Sequence, residues 1–377
     1  MLLACGATLL VAASTPNAQA ASDPVSAARA HAHAGRFDDA IAGYRGVLAA
    51  EPRNSDARAG LVDVLIWSGQ LDLADRELDI GLAYDRNAPA LLARRARVLH
   101  LRGDIGLGRG YLARAERAWP RDGDLMALGD RMWLGEARVR MRNDFFPHGW
   151  DDLPTVELSV QQHIGRFLLG VRTEQSRRFA TAYGARAYNA FYAAALSYSV
   201  APGWVPGIEV GFGAPARAIP DSLGRVFLYF PIGGPLDGYG AATWMHYPNG
   251  TTVQMLNPVL GLALGERVRL EGRYWLARAN APDTNAVLKH SVGVRTLYHP
   301  ARALGLEAHW VYGTQGDRLP NTDQLASIRS NFFGFAFDIH VQRELGIRPM
   351  YELEVRRNPR GDVIQIHGAE LAVYARW

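Results

Sequence analysis

The sequence predicts an all-α N-terminal stretch of helical repeats followed by an all-β, about fourteen-stranded antiparallel transmembrane barrel. Three observations predict it. Glycines recur every 34 residues through the first third of the chain, at Gly35, Gly69 and Gly103. From residue 136 the apolar period changes from helical to two, the period of a strand with two opposite faces. The closing stretch VIQIHGAELAVYARW sets Ala369, Leu371, Val373, Ala375 and Trp377 on one face and Glu370, Ala372, Tyr374 and Arg376 on the other.

The 377 residues carry a formal net charge of +4, and their only lysine is Lys289. Arginine is spread evenly, with no basic run, which speaks for ion pairs and against a nucleic-acid partner. No apolar run approaches the ~20 residues of a membrane helix. That excludes a helical membrane protein and leaves a barrel open, because barrel strands are only half apolar. Residues 2–13 are apolar and Asn17-Ala18-Gln19-Ala20 ends small-x-small. The pattern predicts a secretory signal peptide over 1–20, cleaved between Ala20 and Ala21, although the positive n-region is missing. A second reading takes Leu3-Ala4-Cys5 as a lipoprotein site. Cys5 is the one cysteine, so the mature chain would hold no disulfide.

The glycine spacing is shared by other positions: Ala40, Ala74 and Gly108; Tyr44, Leu78 and Leu112; Pro52, Arg86 and Pro120. Each unit reads as a helix, a glycine turn, a second helix and a stop. The packing set is Gly35, Ala40, Tyr44, Pro52, Gly69, Ala74, Gly103 and Pro120. The segment GRFDDAIAGYRGVLAAEPRN resembles the tetratricopeptide consensus, whose period is about 34 residues. Three units span 21–122 and a further helix over 123–135 covers the last open face, so residues 21–135 form the repeat domain. Such stacks bind partner proteins on a concave surface; the plainer reading is a spacer or collar.

Over 136–377 the strands follow in turn. Ala137-Val139-Met141 alternates with Arg138-Arg140-Arg142, Val156-Leu158-Val160 with Glu157, and Phe167-Leu169-Val171 with Arg172. Val268-Leu270-Gly272 alternates with Arg269, Glu271 and Arg273, and Leu304-Leu306-Ala308 with Glu307 and His309. Phe333-Phe335-Phe337 alternates with Asp338, and Ile347-Pro349-Tyr351 with Arg348, Glu352, Glu354 and Arg356. Less regular strands run near 184–199, 204–214, 223–232, 237–247, 250–264 and 286–299. Short and long connections alternate, the asymmetry of an outer-membrane barrel. A soluble sandwich or propeller is the rival. Against it stand the opposite-sign charges on the polar faces and the Tyr and Trp near strand ends.

The order of signal segment, repeats and a barrel beginning EARVRMRNDFFPHGWDDLPTVELSVQQHIG resembles the YaiO family of outer-membrane barrel proteins. The chain is more loosely similar to exporters of cellulose and poly-N-acetylglucosamine, whose repeat arrays are much longer than three units. The resemblance implies an outer-membrane location in a Gram-negative bacterium, with periplasmic repeats; it implies no activity.

No G-x-S-x-G or H-E-x-x-H occurs, and the reading is of a non-enzyme without cofactor or metal. His31 and His33 read as a solvated helix face. His148 with Asp151 and Asp152, on the first long connection, is the one acid–base cluster; the plainer reading is a polar loop. The charged faces are the informative feature. Arg138, Arg140, Arg142, Glu157, Arg172, Arg269, Glu271, Arg273, Glu307, Asp338, Arg348, Glu352, Glu354, Arg356 and Glu370 are expected to line a lumen. Glu174, Glu209, Lys289 and Arg295 join them, and Tyr374 and Trp377 form the assembly terminus. Cross-strand ion pairs that tighten the barrel are the plainer reading. A mixed-sign conduit for a glycan or small solutes is the functional one, and a non-transporting scaffold its alternative. The partners implied are outer-membrane lipid and lipopolysaccharide, a periplasmic protein at the repeats and a glycan substrate.

Overall fold

The computed structural model describes residues 23–120, 122–145, 153–180, 185–214, 219–265, 267–282, 285–301, 303–313, 329–357 and 363–377. The signal segment with Cys5, Ala20 and Ala21, the cluster of His148, Asp151 and Asp152, and much of the longer connections lie outside the described residues. The chain divides into two compact units, Met1–Val98 and Leu99–Trp377.

The described helices are α1 (Pro24–His33), α2 (Phe37–Ala50), α3 (Ser55–Trp67), α4 (Leu71–Tyr84), α5 (Pro89–Leu101), α6 (Ile105–Ala118) and α7 (Gly123–Arg131). None is long and apolar enough to cross a membrane. In the first unit, Gly35 and Gly69 turn one helix into the next at φ of 73° and 74°, a left-handed conformation open to glycine at no steric cost. Asn54 caps α3, its Oδ1 accepting from the Ala57 N–H at 2.9 Å; such a cap contributes about 1 kcal/mol.

Ala40, Tyr44, Ala74 and Leu78, at matching places in successive units, are all buried. The Tyr44 ring lies on Gly60, where a Cβ would meet it. Burial pushes the Tyr44 hydroxyl pKa above its ordinary value. Buried Arg58 pairs with Glu77 at 2.5 Å and donates to the Pro52 carbonyl at 2.8 Å, so its charge is met on both sides. Pro52 and Pro120, grouped by spacing with the packing residues, are exposed. They follow α2 and α6 and stop helices, because proline cannot continue the hydrogen-bond ladder; the packing role does not extend to them.

The second unit holds α6, α7 and fourteen strands. These are β1 (Gly135–Phe145), β2 (Leu153–Ile164), β3 (Phe167–Ala180), β4 (Ala185–Tyr198), β5 (Val205–Gly213), β6 (Ser222–Gly233) and β7 (Leu236–His246), then β8 (Thr252–Leu264), β9 (Val268–Asn280), β10 (Val287–Ala301), β11 (Leu304–Gly313), β12 (Arg329–His340), β13 (Leu345–Arg357) and β14 (Val363–Arg376). Each strand pairs antiparallel with its sequence neighbours, and β14 pairs with β1 to close the barrel. Closure leaves no strand edge unpaired.

The seam is fastened beyond the ladder. The Trp377 carbonyl accepts from the N–H groups of Leu134 and Gly135 at 2.5 and 3.1 Å, and its indole Nε1 donates to Gln162 Oε1 at 2.9 Å. Gly135 has no room for a Cβ beneath that ring. At the short-turn end, Arg343 between β12 and β13 pairs with Glu116 on α6 at 3.1 Å and with Asp130 on α7 at 3.2 Å.

Burial alternates along the strands. On β14, Ala369, Leu371 and Val373 are exposed while Glu370, Ala372 and Tyr374 are buried. Met141, Leu158, Val171, Ile208, Phe335 and Tyr351 belong to the exposed set. The convex face is therefore apolar and the charged side chains gather on the concave face, the reverse of a soluble β-domain with its charges outside.

Candidate functional site: the concave face of the barrel

Strand alternation puts the charged side chains on the concave face, and the register decides which of them meet. Arg138 pairs with Glu136 at 2.8 Å and Arg140 with Glu157 at 2.5 Å. Arg142 holds Asp144 at 2.6 Å and also pairs with Glu352. Arg172 and Arg225 converge on Glu209 at 2.9 and 3.0 Å. Glu271 collects Arg269, Arg273 and Arg295 at 3.0, 2.6 and 3.4 Å. Glu307 takes Arg295 and Arg348, both at 2.7 Å, and His309 lies between Glu307 and Glu352 at 3.5 and 3.4 Å. Arg356 pairs with Glu354 at 2.7 Å. Glu370 lies 3.7 to 3.8 Å from Arg140, Arg142 and Arg348. Asp338 accepts from the Tyr374 hydroxyl, and the Arg376 guanidinium stands over the Tyr374 ring at 4.6 Å.

These pairs run round most of the wall. They pass from β9 through β10, β11, β13 and β14 to β1, then on through β2 and β3 to β5 and β6. Arg225 then donates to Thr243 on β7 at 3.1 Å. From the far side, Arg269 reaches Asp237 on β7 at 2.5 Å. Between those two contacts, among the described residues, the wall carries Phe227, Tyr229 and Tyr239 rather than ion pairs.

The alternation rule missed Glu136, Asp144, Arg225, Asp237 and the aromatic trio; of these, Glu136 and Asp144 share β1 and its parity with Arg138 and Arg142 and could have been found by it. It also assigned a polar lining throughout. The structure instead brings Phe191, Ala193, Leu223, Met245, Val253 and Ala277 together as a buried apolar cluster. They share the concave face because β4 to β9 carry apolar side chains at inner as well as outer positions. Buried Lys289 stands opposite Ala277 in the ladder, and its Nζ has no hydrogen-bond partner among the described residues.

His31 Nδ1 lies 3.7 Å from Asp39 Oδ2. No group of three or more His, Cys, Asp or Glu among the described residues is arranged to hold a metal.

Residues 31–98 match the tetratricopeptide repeat family. Over 108 residues the chain is 37% identical to "Cellulose synthase operon protein C" of Pseudomonas fluorescens (strain SBW25), an alignment covering 28% of this chain and 8% of that one. The chain thus spans less than a tenth of that relative's length. Among solved structures it is similar to the "CymD monoaromatic hydrocarbon channel", at 10% identity and a TM-score of 0.45, covering 67% of this chain and 91% of that one. It is similar also to a "Bacterial polysaccharide outer membrane secretin", at 8% identity and a TM-score of 0.41, covering 65% and 98%. These structural likenesses concern the fold alone.

Proposed function

We propose that the chain is an outer-membrane barrel forming a polar conduit for a glycan or small neutral solutes, with its repeats in the periplasm docking a partner protein, and that it performs no catalysis. The observation that carries this reading is Tyr229. It shares a face with Arg225, on the concave wall, yet is 50% exposed. The side chains of Arg140 and Arg269 are likewise 35% and 36% exposed. Barrels of about eight strands fill their interiors with side chains, while those of roughly sixteen hold water; exposed inner groups support reading this fourteen-stranded barrel as one of the second kind.

Each guanidinium named above has a carboxylate beside it, so a lining of mixed sign selects ions weakly and offers donors and acceptors to hydroxyls. The apolar convex face suits outer-membrane lipid and lipopolysaccharide as surroundings. The name of the Pseudomonas fluorescens relative supports a polysaccharide context, and the tetratricopeptide match over residues 31–98 supports a partner-binding role for the repeats.

A closed, non-transporting scaffold is the second reading. One observation favours it: Glu370 and Glu352 have side chains only 2% and 5% exposed, so ion pairs fill the wall where β13, β14 and β1 meet.

The test is fractionation of the full chain, its gel mobility with and without boiling, and its conductance in planar bilayers. The conduit reading expects outer-membrane recovery, heat-modifiable mobility and discrete conductance steps. Recovery as a soluble periplasmic protein overturns the membrane placement; a folded inserted barrel without conductance leaves the scaffold.

A further inference from the structure

We infer that Phe227, Tyr229 and Tyr239 form a sugar-binding platform on the inner wall, which takes the apolar face of a pyranose ring in a neutral glycan. The inference rests on the conduit reading and names the chemistry by which that conduit would hold its solute.

The platform occupies the gap in the ion pairs. Tyr229 and Tyr239 face each other across the β6–β7 ladder, with ring centroids 4.5 Å apart and planes tilted by 44°. Phe227 stands 6.1 Å from Tyr229 and 6.3 Å from Tyr239. Its ring is seated over Gly207 on β5, where a Cβ would collide with it. The ring thus leans along the wall toward β5, its plane 78° from that of Tyr229 and 35° from that of Tyr239. Ala241 opposite Phe227 and Val259 opposite Tyr239 add apolar surface without height.

The rim is polar and balanced. Arg225 is tied to Glu209 and Thr243, Arg273 to Glu271, and Asp237 to Arg269. The guanidinium groups offer N–H donors and Asp237 a carboxylate acceptor, on either side of the rings. A pyranose is matched to that arrangement, with C–H groups on its faces and hydroxyls around its edge. An anion or a cation would meet both signs at the rim, and a plain hydrocarbon would leave the rim groups unused. Apolar walls with a few convergent polar groups are the usual make-up of a small-ligand site, and tyrosine supplies a flat face with a polar tip. A pair of aromatic residues across a hairpin can also serve stability alone, and the experiment separates the two roles.

Cellohexaose, a neutral glucose oligomer, is added to the full chain in planar bilayers, for wild type, Tyr229→Ala, Tyr239→Ala and Tyr229→Phe. The expected result is a saturable block of the current, weakened about tenfold in either alanine variant and kept in Tyr229→Phe. Heat-modifiable mobility shows that each variant folds, and block is read as a fraction of each variant's own sugar-free current. A conducting barrel that cellohexaose does not block, or blocks equally in Tyr229→Ala, overturns the platform and leaves the conduit standing. If no form conducts, titration calorimetry of cellohexaose into detergent-solubilised protein decides. Binding lost in Tyr229→Ala upholds the platform while the conduit falls, and binding absent or unchanged overturns the platform.

Discussion

Arg348 Nη2 donates to Glu307 Oε2 at 2.7 Å although the two stand on β13 and β11, with β12 between them. Neighbouring strands are about 4.8 Å apart, so the pair crosses a whole strand. It can do so because Ala336 is the β12 residue opposite Glu307. The same device recurs. Arg269 reaches Asp237 over Gly261 on β8, Arg142 reaches Glu352 over Gly368 on β14, and His309 lies over Gly334 on β12; at each glycine a Cβ would meet those side chains. Arg172 reaches Glu209 across β4, where its ladder partner is Ala193 and that of Glu209 is Ala195. Small residues on the skipped strand leave room for ion pairs two strands wide.

The first prediction is that filling one of these gaps breaks the pair above it. At Gly368 a Cβ would stand 2.9 Å from Arg142 Nη2 and 3.0 Å from Asp144 Oδ1. Gly368→Val therefore displaces Arg142 from Glu352. The expected cost is roughly 1–3 kcal/mol, the range for overpacking, read as a lower temperature at which the folded gel band is lost. Gly272→Ala, where a Cβ meets nothing within 4 Å, leaves that temperature unchanged. Equal behaviour of the two variants would contradict the account.

A second prediction concerns the repeats. Gly60 has the Tyr44 ring where its Cβ would be, and both belong to the first compact unit. Gly60→Val forces the ring from its buried site and costs about 1–3 kcal/mol. Circular dichroism of the full chain should show helical signal melting earlier, while heat-modifiable mobility of the barrel is kept. A barrel band lost together with the helices would show the two units to be coupled in folding.

The repeats and the barrel were legible for the same physical reason: both are periodic. A glycine at φ near 75° every 34 residues and side chains that change face at every residue leave marks that one sequence carries. The ring of ion pairs was legible only in part. Arg269, Glu271 and Arg273 are visible on one strand, but Asp237 becomes their partner only through a register that brings β7 and β9 to either side of Gly261. No local pattern ties Gly368 to Arg142, which lies 226 residues earlier. The aromatic platform escaped because Phe227, Tyr229 and Tyr239 read as ordinary strand residues, and only closure turns their shared face inward.

The third prediction concerns the seam. Trp377 is 45% exposed, so Trp377→Ala loses less than the ~3–5 kcal/mol of a fully buried tryptophan. It also removes the indole bond to Gln162, and the assembled fraction should fall. Deleting residues 367–377 removes the pairs from Glu136↔Arg376 to Phe145↔His367 and opens edges on β1 and β13. Unpaired backbone in lipid is not tolerated, so this chain should not give a folded band at all. Normal assembly of the deletion variant would show that β14 is not needed for closure.

The fourth prediction decides between conduit and scaffold. Glu271 is ringed by Arg269, Arg273 and Arg295; its side chain is 10% exposed, against 36% and 31% for Arg269 and Arg273. In a wet lumen the guanidinium heads keep their water, and each such pair is worth about 0–1 kcal/mol. Arg269→Glu with Arg273→Glu then leaves the barrel folded. It places two more carboxylates beside Glu271 and Asp237, so the channel becomes more selective for cations. In a closed lumen the same change buries like charges, and breaking a desolvated pair costs roughly 3–5 kcal/mol. The folded band would then be lost at a markedly lower temperature. The expected outcome is the first: near-normal heat resistance with a reversal potential shifted toward cations, measured across a salt gradient in planar bilayers. A large loss of heat resistance, with no conductance in either form, rules out the conduit. The wall would then be held shut by its own ion pairs, and the partners of the repeats would be what the barrel anchors.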